Sequence, residues 1–165
     1  MFQHDEFSFR PPVAGDGPAV SRLIGSCPPL DPNSAYCNLL QCTHFADCCV
    51  LAEQDGQIGG WVSGYRPPSE PDALFIWQVA VAPQARGRGL AGEMINRILA
   101  RFPPGSITHV ITTITADNPA SWALFEGLAR QWSTPLTRSA MFDRDTHFAG
   151  AHATEWLARI GPLPR

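Results

Sequence analysis

The chain has 165 residues, of which 44% are hydrophobic and 16% are charged, and its formal net charge is −3. This length fits one folded domain that can bury most of its apolar surface. The small negative charge gives no electrostatic basis for binding nucleic acid, and no apolar run reaches the length of a membrane span, so we expect neither partner.

Strands and helices alternate in the first third of the chain. Residues 1–5 are predicted to be a disordered tail, followed by a short strand over residues 6–11. A helix is predicted from Asp16 to Ile24, and a second from Asn33 to His44. Either Asn33 or Ser34 can cap the second helix, because both side chains accept hydrogen bonds from first-turn amides.

The pattern then changes to strands. Cys49–Glu53 and Ile58–Tyr65 flank Asp55-Gly56, a dipeptide typical of a tight hairpin. A further strand is predicted over Leu74–Val81, after a proline-rich loop.

The second half of the chain returns to alternating helices and strands. The predicted elements are an amphipathic helix over Leu90–Arg101, a strand over Val110–Thr115, a helix over Asn118–Ala129, and terminal strands over Trp132–Arg138 and His152–Ile160. Asp117 or Asn118 caps the later helix, with Pro119 at its first position. The order predicts an α/β protein with a mixed sheet.

An arginine- and glycine-rich loop joins the strand ending at Val81 to the helix beginning at Leu90. Gly87 and Gly89 let the backbone turn its amides toward an anion. Arg86 and Arg88 add two guanidinium groups, and the helix adds the positive end of its dipole. The loop matches neither a P-loop nor a dinucleotide fingerprint. It predicts a pyrophosphate site, and the alternative is an ordinary turn.

This loop resembles the acetyl-CoA loop of the GNAT family of N-acetyltransferases, Arg/Gln-x-x-Gly-x-Gly/Ala. Arg86, Gly89 and Ala91 match it in one register, and Gln84, Gly87 and Gly89 match it in a second. The resemblance implies a single N-acetyltransferase domain over residues 6–165 with the acyl-CoA N-acyltransferase fold, a central, mostly antiparallel twisted sheet flanked by helices on both faces. It also implies that acetyl-CoA is bound by Val79, Val81, Arg86, Gly87, Arg88, Gly89, Leu90, Ala91, Asn118 and Phe125.

The family pattern continues at the helix predicted from Asn118, which matches it at Asn118, Ser121 and Leu124. The next position departs from it, because many members carry a tyrosine where this chain has Phe125. That phenol is thought to protonate the departing CoA thiolate, and a phenylalanine has no proton to give. Either another group acts as the acid, or the thiolate leaves unassisted, as a thiol pKa of about 8.5 permits.

Several further strings are similar to those of the diaminobutyrate acetyltransferases, a family within the GNAT enzymes. They are Leu30-Asp-Pro-Asn-Ser-Ala-Tyr36, Cys42-Thr-His-Phe45, Val62-Ser-Gly-Tyr65, Leu74-Phe-Ile-Trp-Gln-Val-Ala-Val81, Thr112-Thr-Ile-Thr115 and Arg159-Ile-Gly-Pro-Leu163. The resemblance covers about Phe9 to Leu163. It implies acetyl transfer to the 4-amino group of L-2,4-diaminobutyrate in ectoine biosynthesis, for osmoadaptation, by a cytoplasmic homodimer that uses acetyl-CoA and no metal.

The resemblance also implies site residues. Asp31, Trp77 and Glu155 are expected to bind the substrate, with Tyr36 and His152 beside them, and Glu155, Tyr36 and His152 are expected to take part in catalysis. Each has an alternative: Asp31 initiates a turn, Trp77 is a core residue, and Tyr36, facing inward from its helix, is a packed core ring. His152 and Glu155, three apart on an extended segment, reach one site only if a bulge or turn intervenes.

Two other functions remain open from the sequence. One is an N-acetyltransferase for another diamine or amino acid, and the other is a non-catalytic acyl-CoA-binding regulator. The five cysteines lack a zinc-like spacing and are expected to be reduced. A catalytic thiol is disfavoured, because Cys48 and Cys49 lie in a strand-like run and are expected to behave as small hydrophobic residues.

Overall fold

The computed structural model describes residues 6–164, so the expected tail over residues 1–5 lies outside the described residues. The chain forms two compact units. The first combines the chain up to Tyr65 with Gln78–Phe102, and the second combines Arg66–Trp77 with the chain from Pro103 onward.

In residues 6–164, the strands are β1 Ser8–Arg10, β2 Val50–Gln54, β3 Gln57–Tyr65, β4 Ala73–Val81, β5 His109–Thr115, β6 Leu136–Phe142 and β7 Glu155–Ile160. They belong to one seven-stranded sheet with the order β1-β2-β3-β4-β5-β7-β6. Strands β4 and β5 pair in parallel, whereas β1 with β2, β2 with β3, β5 with β7 and β6 with β7 pair antiparallel. The expected mixed, mostly antiparallel sheet is therefore confirmed.

Four α-helices occur within residues 6–164: α1 Gly17–Gly25, α2 Ala35–Thr43, α3 Leu90–Leu99 and α4 Pro119–Gln131. In the first unit, α1 and α3 both pack against β3. Ser34 caps α2, because its hydroxyl accepts the Cys37 N–H at 3.0 Å. The β2–β3 turn is the predicted tight hairpin, with left-handed φ values of 52° at Asp55 and 74° at Gly56.

Two arginines tie the elements of the first unit together. Arg10 bridges the carboxylates of Asp16 (2.8 Å) and Glu53 (2.9 Å), and its hydrogen bonds lower the pKa of Asp16. Arg101, just after α3, donates to the carbonyls of Ala46 (3.5 Å), Asp47 (3.2 Å) and Cys49 (2.5 Å). Burial lowers the pKa of Arg101, and charged donors of this kind give strong hydrogen bonds.

In the second unit, β4 and β5 form a short parallel ladder. It consists of three residue pairs, from Ala73 with His109 to Phe75 with Ile111. Beyond them, the Thr112 hydroxyl donates to the carbonyl of Ile76 at 2.9 Å. A side chain therefore continues the link where backbone pairing stops.

The predicted terminal strands have the wrong boundaries. Trp132 is the C-cap of α4, because its N–H still donates to the Leu128 carbonyl at 2.9 Å, and the strand runs over Leu136–Phe142 rather than Trp132–Arg138. A left-handed Ser133 (φ 52°) separates helix from strand. The last strand begins at Glu155, so His152 precedes it.

Candidate active site

The loop after β4 has the geometry of an anion site. Gly87 and Gly89 have φ values of +75° and +72°. A Cβ at either position would meet nothing within 4 Å, so these glycines are required by the backbone conformation rather than by space.

The first turn of α3 is open to a ligand. Its N-cap, Gly89, provides no side-chain acceptor, so amides at the helix start remain available to an anion. Arg86 and Arg88 are exposed beside them; the Arg86 Nε donates to the Val81 carbonyl at 3.1 Å, and the Arg88 guanidinium lies 5.0 Å from the centre of the Phe7 ring. The loop fits a pyrophosphate group.

Strand β4 presents alternate residues to solvent. Ile76, Gln78 and Ala80 are buried, whereas Val79 is only half-buried and Trp77 is 46% exposed. Trp77 therefore shares the face of Val79, as predicted, and the alternative that Trp77 is a core residue is wrong.

Asp31 initiates a turn, as its alternative interpretation proposed. Its Oδ1 accepts the backbone N–H of Asn33 at 3.1 Å, the arrangement of an Asx turn. Its carbonyl accepts from the Nε2 of the Gln78 side chain at 2.7 Å. The residue is exposed, so this turn presents a carboxylate at the surface of the first unit.

Tyr36 does not face inward. It is 70% exposed, so the alternative that its ring packs in the core is wrong. The buried positions of α2 are Asn38, Gln41 and Cys42, so the helix is rotated to bury two amide side chains instead. A catalytic role for Tyr36 stays a prediction.

The structure brings His152 and Glu155 together. A bend precedes β7, and it places the His152 Nε2 3.9 Å from the Glu155 Oε1. The chain bends at Ala151 and His152, so the two residues do not lie on one extended segment. The His152 Nδ1 lies 2.7 Å from the Ala153 carbonyl, which can only accept, so Nδ1 carries a proton. In the neutral ring, Nε2 is then an acceptor on the side of Glu155.

The segment before His152 is held by its own contacts. The Asp143 Oδ1 accepts backbone N–H groups from Thr146 (2.9 Å) and Asp145 (3.0 Å), and these bonds lower the pKa of Asp143. The Phe148 ring lies 4.7 Å from the His152 ring, centre to centre. The imidazole is therefore positioned by a turn and an aromatic neighbour.

Asn118 and Phe125 both serve the structure of α4. The Asn118 side chain accepts the Ser121 N–H at 3.2 Å and caps the helix, with Pro119 at its first position. The Phe125 ring is 3% exposed. Their predicted contacts with acetyl-CoA stay predictions.

Sequence reasoning missed two buried amides and one aromatic neighbour. Gln78 is 8% exposed and Asn38 is 0% exposed. Both accept hydrogen bonds from the Asn33 side chain, in the turn that begins at Asp31. A glutamine inside the apolar run Leu74–Val81 was the available signal, because a buried amide needs hydrogen-bond partners. Nothing in the sequence marked Phe148.

No group of three or more His, Cys, Asp or Glu side chains in the described part of the chain could hold a metal ion. No helix in residues 6–164 is long and apolar enough to cross a membrane.

Residues 19–129 match the sequence model of the acetyltransferase (GNAT) family. The chain belongs to this family. It is 54% identical over 152 residues to the L-2,4-diaminobutyric acid acetyltransferase of Methylotuvimicrobium alcaliphilum, covering 92% of this chain and 88% of the relative. The enzyme of the same name from Vibrio parahaemolyticus is 49% identical, with coverages of 92% and 84%.

A solved structure also matches nearly the whole chain. It is the diaminobutyrate acetyltransferase of Paenibacillus lautus in complex with its substrate L-2,4-diaminobutyric acid and coenzyme A. Its TM-score is 0.86 at 36% identity, and the match covers 98% of each chain.

Proposed function

We propose that this chain transfers the acetyl group of acetyl-CoA to the 4-amino group of L-2,4-diaminobutyrate, giving N4-acetyl-L-2,4-diaminobutyrate in ectoine biosynthesis. The similarity to the Paenibacillus lautus enzyme, which covers 98% of both chains, carries this proposal. The reaction is a direct transfer without an acetyl-enzyme. Burial raises the pKa of the Cys42 and Cys49 thiols to about 11 and about 12, which makes these thiols poor nucleophiles near neutral pH.

The loop after β4 binds the pyrophosphate of acetyl-CoA. The uncapped first turn of α3 supports this role, as do the two exposed arginines beside it, Arg86 and Arg88. The backbone of Val79 and Val81 holds the pantetheine arm. These interactions position the thioester of acetyl-CoA for attack by the amine. The loop itself takes no part in the chemical step.

Glu155 is the base that removes a proton from the 4-ammonium group. An amine with a lysine-like pKa near 10 must lose that proton before attack, which costs about 4 kcal/mol at pH 7. The His152 Nε2, 3.9 Å from the Glu155 carboxylate, offers a second acceptor. One ammonium group can donate to both, so the pair orients the amine as well as deprotonating it.

Asp31 anchors an ammonium group of the substrate, and Trp77 and Tyr36 contact it. The exposed carboxylate of Asp31 and the exposed rings of Trp77 and Tyr36 support these roles. If the 2-ammonium and the carboxylate of the substrate are clamped, only the distal nitrogen reaches the thioester carbonyl. The enzyme then selects the 4-amino group over the 2-amino group by its position relative to the thioester.

In the transfer, the amine nitrogen forms a bond to the carbonyl carbon, and the carbon–sulfur bond breaks. The electron pair leaves with sulfur as the CoA thiolate. Glu155 holds the proton taken from the ammonium group before attack, and the nitrogen releases a second proton to water as the amide forms. Phe125 cannot protonate the thiolate, so the thiolate departs unassisted. A thiol pKa of about 8.5 makes this departure feasible near neutral pH.

The chain acts as a cytoplasmic homodimer with one acetyltransferase domain in each copy. Edge strand β6 supports the dimer, because it is exposed from Thr137 to Phe142 and lies at the end of the sheet order. Such an edge is a template for pairing with a second copy. Light scattering should return twice the chain mass, and a monomer mass would remove this part of the proposal.

The activity is tested by thiol release from acetyl-CoA with L-2,4-diaminobutyrate, followed by NMR of the product. The expected product carries its new amide on the 4-nitrogen. Faster turnover of ornithine or lysine would support an acetyltransferase for another amine. Retained CoA binding without turnover of any amine would support the acyl-CoA-binding regulator.

A further inference from the structure

A buried glutamine lies directly beneath the turn that carries Asp31. Gln78, on β4, is 8% exposed. Its neighbours in the strand, Trp77 and Val79, point to the opposite face, because side chains alternate along a strand. A buried amide must satisfy both its donor and its acceptor, so its partners reveal what it holds in place.

Gln78 bonds to both ends of the segment Asp31–Asn33. Its Nε2 donates to the Asp31 carbonyl at 2.7 Å, and its Oε1 accepts from the Asn33 Nδ2 at 2.9 Å. One side chain therefore fixes the segment to β4 at two points.

We call these two hydrogen bonds of Gln78 to the segment Asp31–Asn33 the clamp. Further hydrogen bonds connect it to the helices of the first unit. The Asn33 Nδ2 also donates to the Asn38 Oδ1 at 3.2 Å, and the Asn38 Nδ2 donates to the Ser21 hydroxyl at 2.9 Å. Asn33 itself is left-handed, with φ of 57°, a conformation that asparagine tolerates better than most residues. The turn is thus held from β4, α1 and α2 together.

This arrangement determines where the Asp31 carboxylate lies. Once the Asp31 carbonyl is fixed, only two side-chain torsions remain, and the Asn33 N–H further restrains the Oδ1 at 3.1 Å. The position of the carboxylate is therefore set by Gln78 rather than by Asp31 alone.

We infer that Gln78 is a positioning residue that places the Asp31 carboxylate for substrate binding and so contributes to selection of a four-carbon diamino acid. The inference rests on the proposed function, in which Asp31 anchors an ammonium group. Ornithine is one methylene longer than diaminobutyrate, so a carboxylate that moves discriminates less well between the two.

The test compares Gln78→Glu and Gln78→Met with the wild type. In Gln78→Glu, a carboxylate oxygen replaces Nε2 and faces the Asp31 carbonyl, so two acceptors meet and the turn must move. Gln78→Met keeps the length of the side chain but makes neither hydrogen bond. Gln57→Glu, at an exposed position of β3, is the matched control for the added charge.

For both Gln78 variants, we expect KM for diaminobutyrate to rise about tenfold, which corresponds to about 1.4 kcal/mol. KM for acetyl-CoA should stay within about twofold, and the preference for diaminobutyrate over ornithine should narrow by about fivefold, from the loss of roughly one net hydrogen bond. Gln57→Glu should behave as the wild type.

Asn33→Gly provides an independent variant. Glycine keeps the left-handed conformation and removes the side chain that bonds to Gln78, so KM for diaminobutyrate should rise here too. Asp55→Gly, at another left-handed position with φ of 52° in an exposed turn, is its control and should leave KM unchanged.

The outcomes separate this inference from the proposed function. If the wild type does not acetylate diaminobutyrate, the proposed function fails first. If it does, unchanged KM and selectivity in the Gln78 and Asn33 variants, with only a lower melting temperature, would show that the clamp is purely structural. Failure of all three variants to fold would refute the inference as well.

Discussion

Replacing Glu155 with glutamine tests the proposed base with the least change of shape. Glutamine keeps the size of the side chain but cannot accept the proton of the 4-ammonium group. At pH 7, an amine of pKa near 10 is deprotonated at a cost of about 4 kcal/mol, and a positioned base typically contributes 10²- to 10⁴-fold. We expect kcat/KM to fall by about 100- to 1000-fold, with KM for acetyl-CoA within about twofold.

The geometry also predicts the behaviour of a double variant. Because the His152 Nε2 lies 3.9 Å from the Glu155 Oε1, both groups can accept a hydrogen bond from the same 4-ammonium group. His152→Asn alone should lower kcat/KM by about tenfold, and adding it to Glu155→Gln should cost less than the product of the two losses, since groups that act as a unit are not additive.

The assay is thiol release measured from about pH 6 to about pH 10. As pH rises toward the pKa of the amine, substrate arrives already deprotonated, so the deficit of Glu155→Gln should shrink. Glu126→Gln, at an exposed position of α4, is the control and should match the wild type. Full turnover of Glu155→Gln between about pH 6 and about pH 9 would show that Glu155 is not the base.

Three further predictions concern the loop and the fold. Gly89→Ala should raise KM for acetyl-CoA severalfold, because an alanine in the left-handed conformation costs about 1 to 2 kcal/mol. Gly25→Ala is the control: an added Cβ also meets open space there, but the backbone is not left-handed, so KM for acetyl-CoA should not change. Arg101→Met should lower the free energy of unfolding by about 2 to 4 kcal/mol in urea denaturation, and a loss below 0.5 kcal/mol or so would contradict its bonds to three carbonyls. Arg10 holds the pKa of Asp16 in the folded chain below its usual value of 3.8. The ion pair of Arg10 and Asp16 therefore stabilises the fold above pH 3.8, and this stabilisation is lost as the pH falls through the lowered pKa of Asp16. Asp16→Asn should therefore lower the stability at neutral pH by about 1 kcal/mol, since the pair is partly screened by solvent, and the melting temperature should fall with it. The variant and the wild type should converge as the pH falls through the lowered pKa of Asp16. A difference in stability that stays constant with pH would refute the pairing.

Local signals in the sequence predicted most elements of the fold. The Asp55-Gly56 hairpin, the cap of α4 at Asn118 and the glycines of the loop before α3 are all confirmed, because each depends on residues a few positions apart. The boundaries after α4 were wrong because Trp132 extends the last helical turn, which no neighbouring residue indicated.

In the candidate site, too, some side-chain orientations were predictable from the sequence and others were not. The exposed face of β4 followed from its alternation, and Trp77 lies on it as predicted. The outward orientation of Tyr36 did not follow, since it depends on Asn38 and Gln41 being buried instead. Burial of two amides in a helix requires partners elsewhere in the chain, and a helical pattern alone does not reveal them.

The sequence by itself determined the glycine-rich loop before α3 and the succession of strands and helices, because these features depend on residues a few positions apart. The family followed from the resemblance of the loop and of several longer strings. Only the tertiary structure decided which polar side chains meet. It placed His152 beside Glu155 through a bend, and it clamped Asp31 with Gln78, 47 positions away along the chain. Hydrogen bonds between distant residues depend on angstrom-scale placement by the whole unit, and residue spacing carries no such information.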